Sequence, residues 1–235
     1  MRIEIPADAD ALAQVASAMI VEECRHAVRA RGRFVLAISG GRTPWQMLRV
    51  LAEQDVPWEH VHVVQVDERV APAGHADRNL THLRKSLERA PLDTGQIHAM
   101  PVDAPDLEAA AERYAASLEQ IAGVPPVLDV VHLGLGADGH TASLVPGDSV
   151  LDVTDADVAL TSAYLGRRRM TLTYPILNRA RHILWVVTGS DKTGALGKLL
   201  KSDGSIPAGR VRQDHALILA DRAAAGSLEI PSIGR

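Results

Sequence analysis

Five short apolar runs punctuate the chain: Phe34 to Ile38, Val61 to Val66, Leu128 to Leu133, Ile183 to Val187 and Ala216 to Ala220. Each gives way to Gly, Asp or Asn and then to a helical pattern, the alternation expected of βα units on a mainly parallel sheet. Leu107, Ala111, Tyr114, Leu118 and Ile121 step by four and three residues and mark one apolar helix face. Leu12, Val15, Ala16 and Met19 do the same for an opening helix that should stop near Gly32. The stretch from Pro146 to Asp157, with Asp148, Asp152, Asp155 and Asp157, is the least regular. It is expected to cross the surface before a strand near Val158 to Ala163. The joints Val124-Pro125-Pro126 and Ile206-Pro207 are too short for interdomain linkers and no repeat appears, so the pattern reads as one α/β domain over residues 1–235.

Composition narrows the class. A chain of 235 residues with 46% hydrophobic and 23% charged residues can bury a real core and is neither disordered nor fibrous. Twenty-five Lys and Arg against 29 Asp and Glu leave a net charge of −4, without the basic field of a nucleic-acid binder. Aromatic residues at 3% also leave little to stack on bases. Cys24 is the only cysteine, which excludes an internal disulfide and a multi-cysteine metal centre and fits a reducing compartment. The opening MRIEIPADAD does not read as a secretory signal, and no apolar run approaches membrane-spanning length. A cytoplasmic protein with neither membrane nor nucleic-acid partners is expected. Asn79-Leu80-Thr81 matches a glycosylation acceptor that this setting makes accidental.

In open α/β sheets ligands bind beyond the carboxyl ends of the strands, so the residues after each apolar run hold the candidate chemistry. Ser39-Gly40-Gly41-Arg42-Thr43-Pro44 combines two glycines, a capping Thr43 and Pro44 suited to the first helical position. It reads equally as a phosphate cradle or an ordinary βα turn, and it lacks the Gly-Lys-Ser/Thr of a Walker A loop. Lys192, near the start of the helix after Val187, opposes the helix macrodipole unless an anion is bound nearby, which favours the cradle. One of Arg167, Arg168 and Arg169 is expected to join it, the others forming a solvated face. Gly134-Leu135-Gly136-Ala137-Asp138-Gly139 formally fits the dinucleotide fingerprint, but Asp138 would repel a pyrophosphate. His140 follows directly. The positive end of a succeeding helix would favour its neutral form and Asp138 its charged form, leaving an imidazole suited to proton transfer. Ser39 and Ser143 lie in no Gly-x-Ser-x-Gly elbow, no His-Glu-x-x-His occurs, and Asp138 with His140 is an incomplete metal shell.

At these junctions the chain resembles the 6-phosphogluconolactonase family, within the glucosamine/galactosamine-6-phosphate isomerase-like superfamily. The matching stretches are LAISGGRTP (36–44), VDERVAP (66–72), DRN (77–79), DVVHLGLGADGHTASLVPG (129–147), RMTLTYPILNRARHILWVVTGSDK (169–192) and IPAGRV (206–211), in family order across nearly the whole chain. The resemblance implies a three-layer α/β/α fold with a mainly parallel, Rossmann-like central sheet. It also implies a hydrolase without cofactor or metal that opens 6-phospho-D-glucono-1,5-lactone. The phosphate would then sit on Gly40, Gly41 and Thr43 with Arg169 and Lys192 closing around it, while Asp67, Asp138 and His140 face the sugar ring. Arg42 replaces the small residue usual in the family and either adds a phosphate contact or points to solvent. Arg69 either approaches the ligand from a mobile loop or pairs structurally near Glu68. Val145 stands before Pro146 where the deaminase-type relatives carry a catalytic glutamate, which favours lactone hydrolysis over amino-sugar isomerisation. The competing expectations are a nicotinamide-dependent oxidoreductase and a catalytically silent sugar-phosphate sensor. Oligomeric state is not legible.

Overall fold

The structure, a computed structural model, describes residues 1–226 and 228. Its elements in chain order are β1 (Arg2–Glu4), α1 (Ala9–Arg31), β2 (Phe34–Ile38), α2 (Arg42–Leu51), β3 (Val61–Gln65), β4 (Asp67–Arg69), α3 (Asn79–Ser86), β5 (Ile97–His98), α4 (Leu107–Ala122), β6 (Val130–Leu133), β7 (Val158–Leu160), β8 (Arg169–Leu172), α5 (Tyr174–Arg179), β9 (His182–Val187), α6 (Thr193–Leu200), β10 (Ala216–Ala220) and α7 (Arg222–Ala225). Seven strands form one parallel sheet in the order β1-β10-β9-β6-β2-β3-β5. All five apolar runs lie in it, because a parallel strand covered on both faces needs apolar residues at nearly every position. The pleat then divides them. In β2, Val35 and Ala37 join the core cluster shared with α4 and α6, whereas Phe34, Leu36 and Ile38 join the cluster shared with α1 and α2.

Asp8 caps α1 by accepting from the Ala11 N–H at 2.8 Å, and Gly32 ends it at φ 71°. The buried stripe is rotated from the expected one: Leu12 and Ala16 are buried, but Ala13, Ile20, Cys24 and Ala27 replace Val15 and Met19, which only flank the core. In α4 the expected face holds for Ala111, Tyr114 and Leu118, with Ala110 added. The irregular stretch after Pro146 contains a single 3-10 turn, Ser149–Asp152, capped by Asp148.

The sequence pattern did not reveal a second sheet. β4 pairs antiparallel with β8, and β8 with β7. Its strands are 3 or 4 residues long. β7 falls within the strand expected near Val158 to Ala163, but β4 is Asp-Glu-Arg and β8 opens on Arg169, so no apolar run announces their pairing. This sheet continues from the carboxyl end of β3 and folds charged residues over the main sheet. In the main sheet, strand order reverses between β2 and β6, so the crevice beyond their carboxyl ends is the topological switch point.

Candidate active site

The loops leaving β2 and β6 meet in that crevice. A cavity of about 180 Å³ lies there, lined by Ser39, Gly40, Gly134, Leu135, Gly136, His140 and Ala142 from the two loops, with Asp67, Arg69, Asn79, Arg169 and Lys192 opposite. The glycine turn, the imidazole and the ammonium expected to act together thus border one space. Glycine is required at two of these positions: a Cβ on Gly40 would overlap Asn79, and one on Gly136 would overlap the His140 ring and Asp138.

His140 Nδ1 lies 2.6 Å from Asp138 Oδ1, and the same oxygen accepts from the His140 backbone N–H at 3.1 Å. An ionised carboxylate only accepts, so Nδ1 carries the proton and Nε2 keeps its lone pair. Burial pushes the Asp138 carboxyl up, but the backbone and ring hydrogen bonds from His140 outweigh it and hold the group below its ordinary value. One expectation fails here: no helix follows the loop, so no helix terminus acts on His140. The same fact removes the dinucleotide fingerprint, whose glycines must open a helix to present N–H groups to a pyrophosphate.

The small sheet supplies the opposite wall. Arg69 and Arg169 are direct cross-strand partners, and both line the cavity. Like charges in that register repel, and the pairing is relieved when an anion lies between them. Arg169 is buried, with Nε lacking any partner. Burial lowers its guanidinium from the ordinary value, and Arg69 adds to this while Asp67 opposes it. Arg169 is the one arginine of its run to enter the site; Arg167 pairs with Asp77 at 2.8 Å and Arg168 with Glu108 at 3.3 Å. Arg69 sits on β4, not on a loop, and donates to Asn79 Oδ1 at 2.8 Å and Asp77 O at 3.0 Å. The mobile loop expected for it is therefore a strand, and its structural partners are Asn79 and Asp77 rather than a charge next to Glu68. The structural charge pair next door is Glu68 with Arg78 at 3.2 Å, both buried.

Asp67 is buried and accepts from Ser143 Oγ at 2.6 Å and from Asn79 Nδ2 at 3.3 Å. Lys192 stands at the N-cap position of α6 without a side-chain capping bond and pairs with the exposed Asp191 at 2.8 Å, its other side facing the cavity. Around the wall, three cations therefore oppose the single carboxylate of Asp67.

Gly41, Arg42 and Thr43 are not on the cavity wall. Helix α2 starts at Arg42 with Gly41 as its cap, no side chain caps it, and Pro44 falls two positions after the start. Thr43 does not cap; its hydroxyl meets that of Thr188 at 2.9 Å, tying the loop after β2 to the loop after β9. Arg42 is exposed beside these uncapped N–H groups. Sequence reasoning passed over three residues of this neighbourhood. Asn79 lay within the DRN match, Ser143 was weighed only as a nucleophile, and Tyr164, whose ring meets His140 edge-on with centroids 5.7 Å apart, carried no signal. Asn79 is buried and bonded to Asp67, so its side chain is not accessible as an acceptor in the folded chain.

Wider grooves lie elsewhere. One of about 690 Å³ between α4 and β7 is lined by Glu108, Glu112, Glu119, Asp155 and Asp157 against two arginines, a surface that repels anions. Among the described residues, no group of three or more His, Cys, Asp or Glu is arranged to hold a metal ion, and no helix is long and apolar enough to cross a membrane.

A family model described as glucosamine-6-phosphate isomerases/6-phosphogluconolactonase matches residues 7–219. The chain is 39% identical over 178 residues to a 6-phosphogluconolactonase of Synechocystis sp., covering 74% of each. It is 33% identical to one of Nostoc sp., covering 97% of this chain and 98% of that one. Among solved structures, a 6-phosphogluconolactonase from Thermotoga maritima superposes with a TM-score of 0.82 at 27% identity, over 94% of this chain and 98% of that one. One from Trypanosoma cruzi gives 0.86 at 25% identity, over 97% of both. With the loops, the parallel sheet and the cavity in the same chain as these matches, the protein belongs to the glucosamine-6-phosphate isomerase/6-phosphogluconolactonase family.

Proposed function

We propose that this protein hydrolyses 6-phospho-D-glucono-1,5-lactone to 6-phospho-D-gluconate, the second step of the oxidative pentose phosphate pathway, as a single-domain cytoplasmic enzyme. The observation that carries this reading is one cavity whose wall holds an imidazole, backed by the Asp138 carboxylate, together with three cations, two of them forced together by strand register. A dianionic phosphate and a neutral ester carbon are what such a cavity accommodates together. The single-domain reading is supported by two core clusters on opposite faces of one sheet, and the cytoplasmic one by a free, buried Cys24.

In this reading the phosphate rests on Gly40, Gly41 and the uncapped start of α2 at Arg42 and Thr43, and Arg69, Arg169 and Lys192 close around it. His140 Nε2 takes a proton from water as the water oxygen attacks C1 of the lactone. The bond from C1 to the ring oxygen then breaks, and the same proton passes to that oxygen, which leaves as the C5 hydroxyl. Asp138 keeps the proton on Nδ1 and steadies the imidazolium formed in between. Asp67 holds Asn79 and Ser143 beneath the ring and balances part of the cationic wall.

The test is release of 6-phosphogluconate from freshly generated lactone, read by a coupled dehydrogenase against an enzyme-free control. His140→Ala should lose all but a residual fraction of turnover, on the order of 100-fold or more, while still binding 6-phosphogluconate. Hydrolysis at the wild-type rate by that variant would refute the assignment. Lys192→Ala should raise KM with kcat nearly kept, and an unchanged KM would remove Lys192 from the phosphate site. The isomerase side of the family is the second reading. Against it stands Val145, buried and without a carboxylate, so glucosamine 6-phosphate should not be turned over.

A further inference from the structure

The hairpin joining β7 to β8 ends against the candidate catalytic pair. Past the ladder, the Tyr164 N–H donates to Arg167 O at 2.9 Å and the Arg167 N–H to Tyr164 O at 3.3 Å. They close a two-residue turn on Leu165 and Gly166, with φ of 50° and 78°. Positive φ at both positions marks a type I′ turn, whose twist suits a hairpin. Glycine adopts it freely but leucine is strained there, and the Leu165 side chain is 80% exposed, so no packing of its own offsets that strain. The turn instead fixes Tyr164, which is half-buried between the two halves of the site. The Tyr164 ring meets the His140 ring at 62°, edge to face. The Arg169 guanidinium carbon lies 5.0 Å from the centroid of the same ring. The Tyr164 hydroxyl lies 3.5 Å from Asp138 Oδ2, the carboxylate oxygen that His140 does not use.

We propose that Tyr164 is a positioning residue that couples the candidate base to the anion grip, its ring seating both the His140 imidazole and the Arg169 guanidinium while its hydroxyl shares Asp138 with His140. Both ring contacts are favourable in these geometries. The hydroxyl is a long contact for an O–H···O bond, but it is aimed at the free oxygen and draws charge from the carboxylate when it closes. Asp138 then holds the imidazolium less tightly, which helps His140 return its proton. The other charged groups around the imidazole are Asp67 and Arg69 from β4, Arg169 from β8 and Lys192 from the turn before α6, and Tyr164→Phe, which keeps the ring under Arg169, removes none of their contacts.

The kinetic part rests on the lactonase reading; the geometric part does not. Tyr164→Phe keeps the ring and removes the hydroxyl, and it should lower kcat about threefold to tenfold, the worth of one hydrogen bond, with KM little changed. Tyr164→Leu removes the ring as well and should also raise KM, about fivefold or more, as Arg169 loses its seat. The thermal midpoint of both variants should stay at the wild-type value, since the tip of the hairpin adds little to the core. Wild-type kcat and KM in Tyr164→Leu would overturn the proposal. A readout without substrate separates the two readings: the His140 ring, assigned by comparison with His140→Gln, is followed by nitrogen-15 NMR through a pH titration. In Tyr164→Phe its midpoint should move upward, because Asp138 is left to the imidazolium alone. Superimposable titrations in wild type and Tyr164→Phe would overturn the coupling even if the lactone is hydrolysed. If the wild type leaves the lactone untouched, the lactonase reading fails and the titration alone decides the role of Tyr164.

Discussion

Asp138 and His140 are two residues apart, so a local turn is enough to bring carboxylate and imidazole together, and the short motif carries its own geometry. Asn79, Ser143 and Arg169 are different. Each meets Asp67 or its neighbours across 12 to 76 positions of sequence or through strand register, and no local signal records that. Gly40 links the two kinds of information, being legible as a turn residue yet required because Asn79 packs where its side chain would be. Gly40→Ala should push Asn79 off Asp67 and Arg69. We expect kcat/KM to fall by about tenfold or more, within the usual cost of overpacking, with the fold retained by circular dichroism. A variant with wild-type kcat/KM would show that Asn79 has room to move.

At the scale of elements, the five inner strands of the main sheet were legible because burial on both faces writes them as apolar runs, whereas the short edge strands β1 and β5 were not. The β4, β8 and β7 sheet escaped notice as a sheet, although a strand was expected at β7, because its short strands are paired across distant sequence and β4 and β8 carry the site's own charges. The turn that presents Lys192 depends on such a partner too. Asp221, at the end of β10, accepts from the Gly189 N–H at 3.1 Å through both oxygens, and from the Ala224 N–H of α7 at 2.7 Å. Asp221→Ala should therefore loosen the turn where Gly189 adopts φ 99°, and raise KM for the phosphorylated substrate while leaving kcat within about twofold. Steady-state kinetics at fixed pH would check this, and a fall in kcat at unchanged KM would contradict it.

For the whole molecule, the sheet buries a titratable group that the proposed chemistry does not use. His132 on β6 is fully buried on the α1 and α2 side, both ring nitrogens lack partners, and burial pulls its pKa from 6.5 down to about 3. Burial also lowers His62 and His98, which face each other at 3.1 Å, the former further depressed by Arg33 and the latter by His62. The unfolded chain binds protons that the folded one refuses below pH 6.5, so stability is full above that value and is lost progressively as pH falls toward about 3. Urea unfolding should show a lower midpoint at pH 5 than at pH 7.5, and His132→Leu should lose less over that interval than the wild type. An equal loss in both would assign acid sensitivity to other groups. The sequence by itself determined the βα alternation, the glycine turn and the Asp138–His140 pair, because each follows from residues near one another in the chain, where periodicity and turn chemistry act. Only the tertiary structure decided that Arg69 and Arg169 stand opposite each other, that Thr43 bonds Thr188 instead of capping, and that Tyr164 reaches the imidazole. Strand order and register set those distances, and they are properties of the assembled sheets, which no short stretch of sequence contains.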